Sequence, residues 1–312
     1  MNPLESLKPS VNKVEFISKT MGGDLKLAGL LFLPDNFSPL KKYPAVVFTG
    51  PFNQIKEQMG SFYGAKMAKQ GYVFLAFDHQ GYGESEGQIR NYEYLPSKVE
   101  GIQDAISFLR TLPFVDNHRV FGIGACAGAT HMAYVALTDK RLKKIAFVSG
   151  MLANTSVHHI FTKKKDFEAT LKRANVARQR YYETNTLEPF DALKLEQNKE
   201  SKIRDAREGY DYYMTERAGS ITYPNYTDKT PEFFIEDNAR YSARAIARFI
   251  TTPTLTIYGT KASTKLFSWL FQLAKKGPKK RFAVKGATHV DLYDVDQYVD
   301  QVVDKMDAYF SV

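Results

Sequence analysis

The stretch Val120-Phe121-Gly122-Ile123-Gly124-Ala125-Cys126-Ala127-Gly128, continuing from Ala129 to Leu137, reads as a buried strand, a sharp turn and a helix. A turn of the form small-x-nucleophile-x-small holds one side chain at the top of a sheet in a strained backbone conformation. The flanking small residues are needed because strand end and helix start pack with almost no room for Cβ atoms. The residue presented is Cys126, the only cysteine of the chain. A free cysteine is more often an inert buried hydrophobe. Here the strand before it, the helix after it and the glycines on both sides identify it as a nucleophile, and the helix N-terminus is expected to lower its pKa.

Working outward, the chain alternates strand and helix. Val14 to Ser18 and Leu25 to Leu33, separated by Gly22-Gly23, are expected to pair as an antiparallel hairpin. Pro44 to Thr49 and Val73 to Phe77 are short continuous apolar runs, suited to strands buried on both faces of a parallel sheet. A helix is expected over Glu57 to Gln70, with Met59, Phe62 and Tyr63 on one side, and another over Ser97 to Leu112. Asp78 to Gly87 is a glycine-punctuated loop in which Asp78 is expected to tie the turn together. Lys144 to Val148 is a further buried strand. The alternation breaks at Met151 and resumes at Pro253 to Tyr258, the Leu266 to Ala274 helix, the Arg281 to Lys285 strand and the Val295 to Phe310 helix. The expectation is therefore an α/β fold: a mostly parallel, doubly wound sheet with residues 1–150 and 251–312 as its core. Residues 151–250 carry many charges and tyrosines but no clear buried strand. They read as a helical insertion over the sheet edge where ligands of open α/β sheets bind, either a lid or a packing appendage.

Composition narrows the classes. The 312 residues are 44% hydrophobic and 25% charged, ordinary for a soluble globular protein. No secretory signal is read at Met1 to Ser10 and no run is long and apolar enough to span a bilayer, so no membrane partner and a cytoplasmic location are expected. A lone cysteine cannot form an internal disulfide, and a reactive thiol survives best in a reducing compartment. The net charge is +9, from 43 basic against 34 acidic residues. Its clusters, at Lys163 to Lys165 and Lys275 to Lys280, fall at helix ends and loops without aromatic platforms, so no nucleic-acid partner is expected. No His, Cys and carboxylate set has ligand spacing, so neither metal nor organic cofactor is expected. A homodimer contact through the insertion or the last helix is left open.

A thiol nucleophile needs a base within reach and donors for the oxyanion. Of the six histidines, His118, His131, His158 and His159 fall near helix ends, on a helix or in the insertion, and His79 falls in the glycine loop. His289 sits in the small-residue loop Gly286-Ala287-Thr288-His289 directly after the last strand, at the sheet edge to which Cys126 points. It is the candidate base.

The order of turn, insertion, late strand, Gly-Ala-Thr-His loop and C-terminal helix resembles the α/β-hydrolase fold. The cysteine in Gly124-x-Cys126-x-Gly128 makes the chain similar to the dienelactone hydrolase-like branch. Lys56-Glu57-Gln58, the Asp78 to Gly87 loop, Leu292-Tyr293-Asp294 and Tyr212-Tyr213 to Arg217-Ala218 bring it closer still to bacterial uncharacterised α/β hydrolases related to fungal polyketide transferases. The resemblance implies Cys126 as nucleophile, His289 as general base, and the N–H groups of Ala127 and Phe52 as oxyanion donors. Phe52 is favoured in its loop because Pro51 has no N–H. The family's acid is missing from the loop Gly259 to Thr264. Ser263 stands about where an Asp is expected, and Asp291 is close to His289 in sequence. Three alternatives remain: a Cys–His dyad oriented by Ser263 or a backbone carbonyl, an acid from elsewhere, or a weakened enzyme. The function expected is hydrolysis of a small ester, thioester or lactone through an acyl-enzyme. Acyl transfer, or binding of a small acyl ligand without turnover, are the alternatives.

Overall fold

A computed structural model of the chain describes residues 7, 9–19, 23–153 and 164–312. Ten strands occur among them: β1 (Ser10–Ser18), β2 (Leu25–Leu33), β3 (Tyr43–Thr49), β4 (Val73–Phe77), β5 (Val115–Ala125), β6 (Lys144–Val148), β7 (Pro189–Asp191), β8 (Lys229–Pro231), β9 (Thr254–Gly259) and β10 (Lys279–Val284). Eight of these form one sheet in the order β1-β2-β4-β3-β5-β6-β9-β10. β1 pairs antiparallel with β2 in the register Ser10↔Leu33 to Ser18↔Leu25. β2 pairs antiparallel with β4, and every later pairing in the sheet is parallel.

The apolar runs are continuous because both sheet faces are covered, and the two-residue period of a strand divides them between two cores. From β3, Val46 and Phe48 enter one core and Ala45 and Val47 the other. β4 divides likewise, Phe74 and Ala76 to one side and Val73, Leu75 and Phe77 to the other. The first core is closed by the Met59–Lys69 helix, through Met59, Tyr63 and Met67, and by the Asp296–Phe310 helix, through Val299, Val302 and Met306. The second is closed by the Leu95–Thr111 and Ala127–Thr138 helices. This is the α/β-hydrolase fold, a mostly parallel sheet with an antiparallel hairpin at its N-terminal edge.

Asp78 ties its loop as expected: fully buried, it accepts from the Lys56 backbone N–H (2.8 Å), Lys56 Nζ (2.7 Å) and the Glu84 N–H (3.0 Å). Within residues 151–250 no strand was expected, but β7 and β8 pair as a small antiparallel ribbon. Three residues on each side give too short a pattern to be read in sequence. The helices of this segment, Lys164–Thr184, Arg204–Met214 and Phe234–Arg240, are joined to one another and to the core by side chains. Arg178 Nε donates to Glu236 (2.8 Å), and Arg217 clasps Asp294 through Nε (2.9 Å) and Nη2 (2.5 Å). His158 and His159 lie outside the described residues.

Candidate active site

The turn after β5 is built from backbone crowding. Cys126 has φ 50° and ψ −116°, a region that side chains other than glycine rarely occupy. A Cβ on Gly124 would stand 2.6 Å from the Gly128 carbonyl oxygen, and one on Gly128 only 2.3 Å from that of Thr49. Both positions therefore demand glycine. The Cys126 N–H donates to Val148 O (3.0 Å), and its carbonyl accepts from the N–H groups of Met151 (2.8 Å) and Ala129 (3.2 Å). The side chain is partly exposed, into a cavity of about 360 Å³.

The N–H groups of Ala127 and Phe52 and the Tyr293 hydroxyl all act on the Cys126 thiol, each favouring its charged form. The resemblance implied these same two amides as oxyanion donors. The pKa differs from expectation, because burial pushes the thiol above its ordinary value although these donors pull it down. Moving a thiolate out of water costs more here than the helix end and the donors return.

Cys126 and His289 are brought to one crevice but joined through an intermediary. His289 Nε2 lies 2.9 Å from the Tyr293 hydroxyl, which in turn interacts with the Cys126 thiol. Tyr293 follows His289 by four residues, the spacing that places two side chains on one face of a helical turn. That spacing was the signal in the sequence, but a tyrosine at such a position reads as core. Burial pushes its pKa well above ordinary, so the phenol is protonated. His289 is buried and its pKa falls to about 4, chiefly from desolvation, with Asp205 acting against it, so its ring is neutral near pH 7.

Neither expected orienting group reaches the imidazole. Nδ1 of His289 is 2.6 Å from the Thr264 hydroxyl. Ser263, one residue earlier, faces the insertion instead and gives both its hydroxyl and its N–H to Asp205. Asp291 caps its own turn: its carboxylate accepts from the Thr288 N–H (2.8 Å), while its N–H meets the Thr288 hydroxyl (3.2 Å). The only carboxylate whose charge acts on His289 in the described structure is Asp205, from the insertion's Arg204–Met214 helix. Of the other histidines, His79 is buried against Thr49 Oγ1 (2.9 Å) below the site.

The cavity runs from Cys126 between the Ala127–Thr138 helix and the insertion. Phe52, Leu95, Leu193 and Phe234 give it apolar walls, and Phe52 and Phe234 meet edge-on at 5.3 Å. Its size and lining suit a small organic ligand. A thiol at the cavity wall beside two backbone donors, one tyrosine away from a neutral imidazole, can attack an electrophilic carbon and shed its proton inward. No described helix is long and apolar enough to cross a membrane.

Comparison with known proteins agrees with this architecture. The uncharacterised protein YcjY of Escherichia coli (strain K12) is 30% identical over 96% of this chain and 98% of its own. The crystal structure of the hypothetical protein PA2218 from Pseudomonas aeruginosa superposes with a TM-score of 0.85 at 28% identity, covering 98% of this chain and 94% of that one. The α/β hydrolase GrgF from Penicillium sp. sh18 superposes with a TM-score of 0.76 at 18% identity, over 97% and 99% of the two chains, a likeness of fold. Thiohydrolase aneE of Aspergillus aculeatus is 34% identical over a shorter stretch, 46% of this chain and 43% of its own. The dienelactone hydrolase-like branch has no counterpart among these matches. Residues 23–229 match the X-Pro dipeptidyl-peptidase (S15 family), a serine-hydrolase family of α/β-hydrolase type, and the chain belongs to that family.

Proposed function

We propose that the chain is a hydrolase that uses Cys126, in place of a serine, as the nucleophile on a small ester, thioester or lactone. The observation that carries this is the sulfur itself, set on a strained turn against two backbone donors and linked to His289 through Tyr293. In the reaction the Cys126 thiol passes its proton to the Tyr293 oxygen as the phenol passes its own to His289 Nε2. The sulfur forms a bond to the acyl carbon, and the carbonyl electron pair moves to an oxygen held by the N–H groups of Ala127 and Phe52. Collapse breaks the bond to the leaving group, which takes the proton back through the same route. Water then attacks the thioester with His289 as base, releasing the acid and restoring the thiol.

On this reading the insertion is a lid over residues 1–150 and 251–312, and Thr264 holds the His289 ring at Nδ1, where other hydrolases place an acid. A thiol manages without that acid better than a hydroxyl, since its own pKa lies far nearer neutrality. The aneE name, a thiohydrolase, favours a thioester among the substrates. Turnover of a short-chain p-nitrophenyl ester and of the corresponding thioester tests the assignment. Cys126→Ala is expected to lower it by about three orders of magnitude or more. A second reading, binding of an acyl ligand without turnover, is favoured by the missing carboxylate on His289 Nδ1. Slow turnover that Cys126→Ala leaves unchanged selects it.

A further inference from the structure

The same cavity carries a polar pair that the proposed chemistry does not use. Glu93 and His131 both line it, and both are more than nine-tenths buried. Oε1 of Glu93 accepts from the Asn53 N–H (2.8 Å) and from Lys98 Nζ (2.7 Å), and the Tyr82 hydroxyl bears on the same carboxylate. Its other oxygen stands 3.8 Å from His131 Nε2, too far for a hydrogen bond. Nδ1 of His131 is buried without a partner. A buried acceptor lone pair left bare costs less than a bare N–H, so the ring proton belongs on Nε2, facing Glu93. Burial, with Lys98 adding to it, lowers the His131 pKa to about 3, so the ring is neutral. Burial works against the Glu93 charge, but Lys98 foremost outweighs it and keeps the carboxylate ionised.

An acceptor and a donor 3.8 Å apart that both line the cavity can share one oxygen set to the cavity side of the line between them, about 2.8 Å from each. That oxygen has to donate to Glu93 and accept from His131, which is what a hydroxyl does. An ammonium is disfavoured, since Lys98 already compensates Glu93 and an ammonium has no lone pair for the His131 N–H. His131 lies five positions beyond Cys126, roughly 7 Å along the helix at its rise per residue. The hydroxyl therefore belongs several atoms beyond the acyl carbon.

We propose that the Glu93–His131 pair recognises a distal hydroxyl on the acyl group, so that this site takes hydroxyacyl substrates in preference to plain alkyl ones. The orientation of that group, carbonyl toward Cys126, rests on the functional reading above. An alkyl chain in the same place strips water from both polar groups and returns nothing, which is how a site built for a hydroxyl rejects its methyl isostere.

The test compares the amides of ω-hydroxyhexanoic acid and heptanoic acid, equal in length, titrated calorimetrically onto the intact protein. The wild type is expected to prefer the hydroxyamide by about tenfold or more, and His131→Phe to bring the ratio near one. Glu93→Gln is a second variant should the first not fold, and the same loss of preference is expected. Equal binding of the two amides by the wild type, or an undiminished preference in both variants, overturns the proposal. The p-nitrophenyl esters of the same acids separate the two claims. A binding preference without ester turnover keeps the hydroxyl site and overturns the catalytic reading. Turnover of both esters at one rate, with equal binding of the amides, does the reverse.

Discussion

Cys126 is placed by backbone and His289 by side chains. The cysteine's amide and carbonyl are both hydrogen-bonded to neighbouring main chain, and its turn admits no Cβ at Gly124 or Gly128. The histidine's ring nitrogens are held by two hydroxyls, Thr264 and Tyr293, on different elements. The Tyr293 segment is in turn clamped by the insertion: Arg217 grips Asp294, and Tyr212 packs edge-on against Tyr293 at 5.0 Å. A position fixed by backbone is rigid and fails abruptly when crowded. A position fixed by hydroxyls fails by degrees, one hydrogen bond at a time.

The contrast breaks most visibly at the turn. Gly128→Ala drives a methyl group against the Thr49 carbonyl oxygen, and a loss of about 4 kcal/mol in urea unfolding, or failure to fold, is expected. A variant within about 1 kcal/mol of wild type contradicts the crowding.

Next comes the bridge. Tyr293→Phe keeps the ring and its packing but removes the hydroxyl between sulfur and imidazole. A fall in kcat of roughly 100-fold is expected, with stability little changed. Iodoacetamide gives the pH reading of the same variant. Only the thiolate reacts, and burial raises this thiol above its ordinary value, so the alkylation midpoint is expected above the free-cysteine value of about 8.5. Removing the phenol takes away a donor that favours the thiolate, so the midpoint moves higher still. A midpoint below 8.5 means the thiolate is formed at rest and needs no relay.

The smallest effect separates two adjacent residues. Thr264→Val is expected to cost about tenfold in kcat by releasing the imidazole. Ser263→Ala is expected to cost less, because its contact is to Asp205. The reverse order assigns the orienting role to Ser263.

The same contrast explains what could be read from the sequence. The turn was legible because sterics fixed its residue types: strand, small residue, one presented side chain, small residue and helix admit few alternatives. The position of His289 at the Cys126 crevice was legible from its place after the last sheet strand. Tyr293 and Thr264 were not, because a tyrosine and a threonine beside a core carry no signature until the fold shows what they touch. Asp205 lies in an insertion whose contacts with the core join residues far apart in the chain. The direction of the thiol pKa is hidden for a related reason, since a helix N-terminus is visible in sequence and desolvation of the sulfur is not. His131 read as one more helix residue, and only the cavity gives it a task.

The most direct measurement of the central claim is the mass of the intact protein, quenched in acid during turnover of a short-chain p-nitrophenyl ester and then mapped by peptide. A single acyl addition on the peptide carrying Cys126, missing in Cys126→Ala, is the expected result. An acyl group on any other residue, or full turnover by the alanine variant, contradicts it.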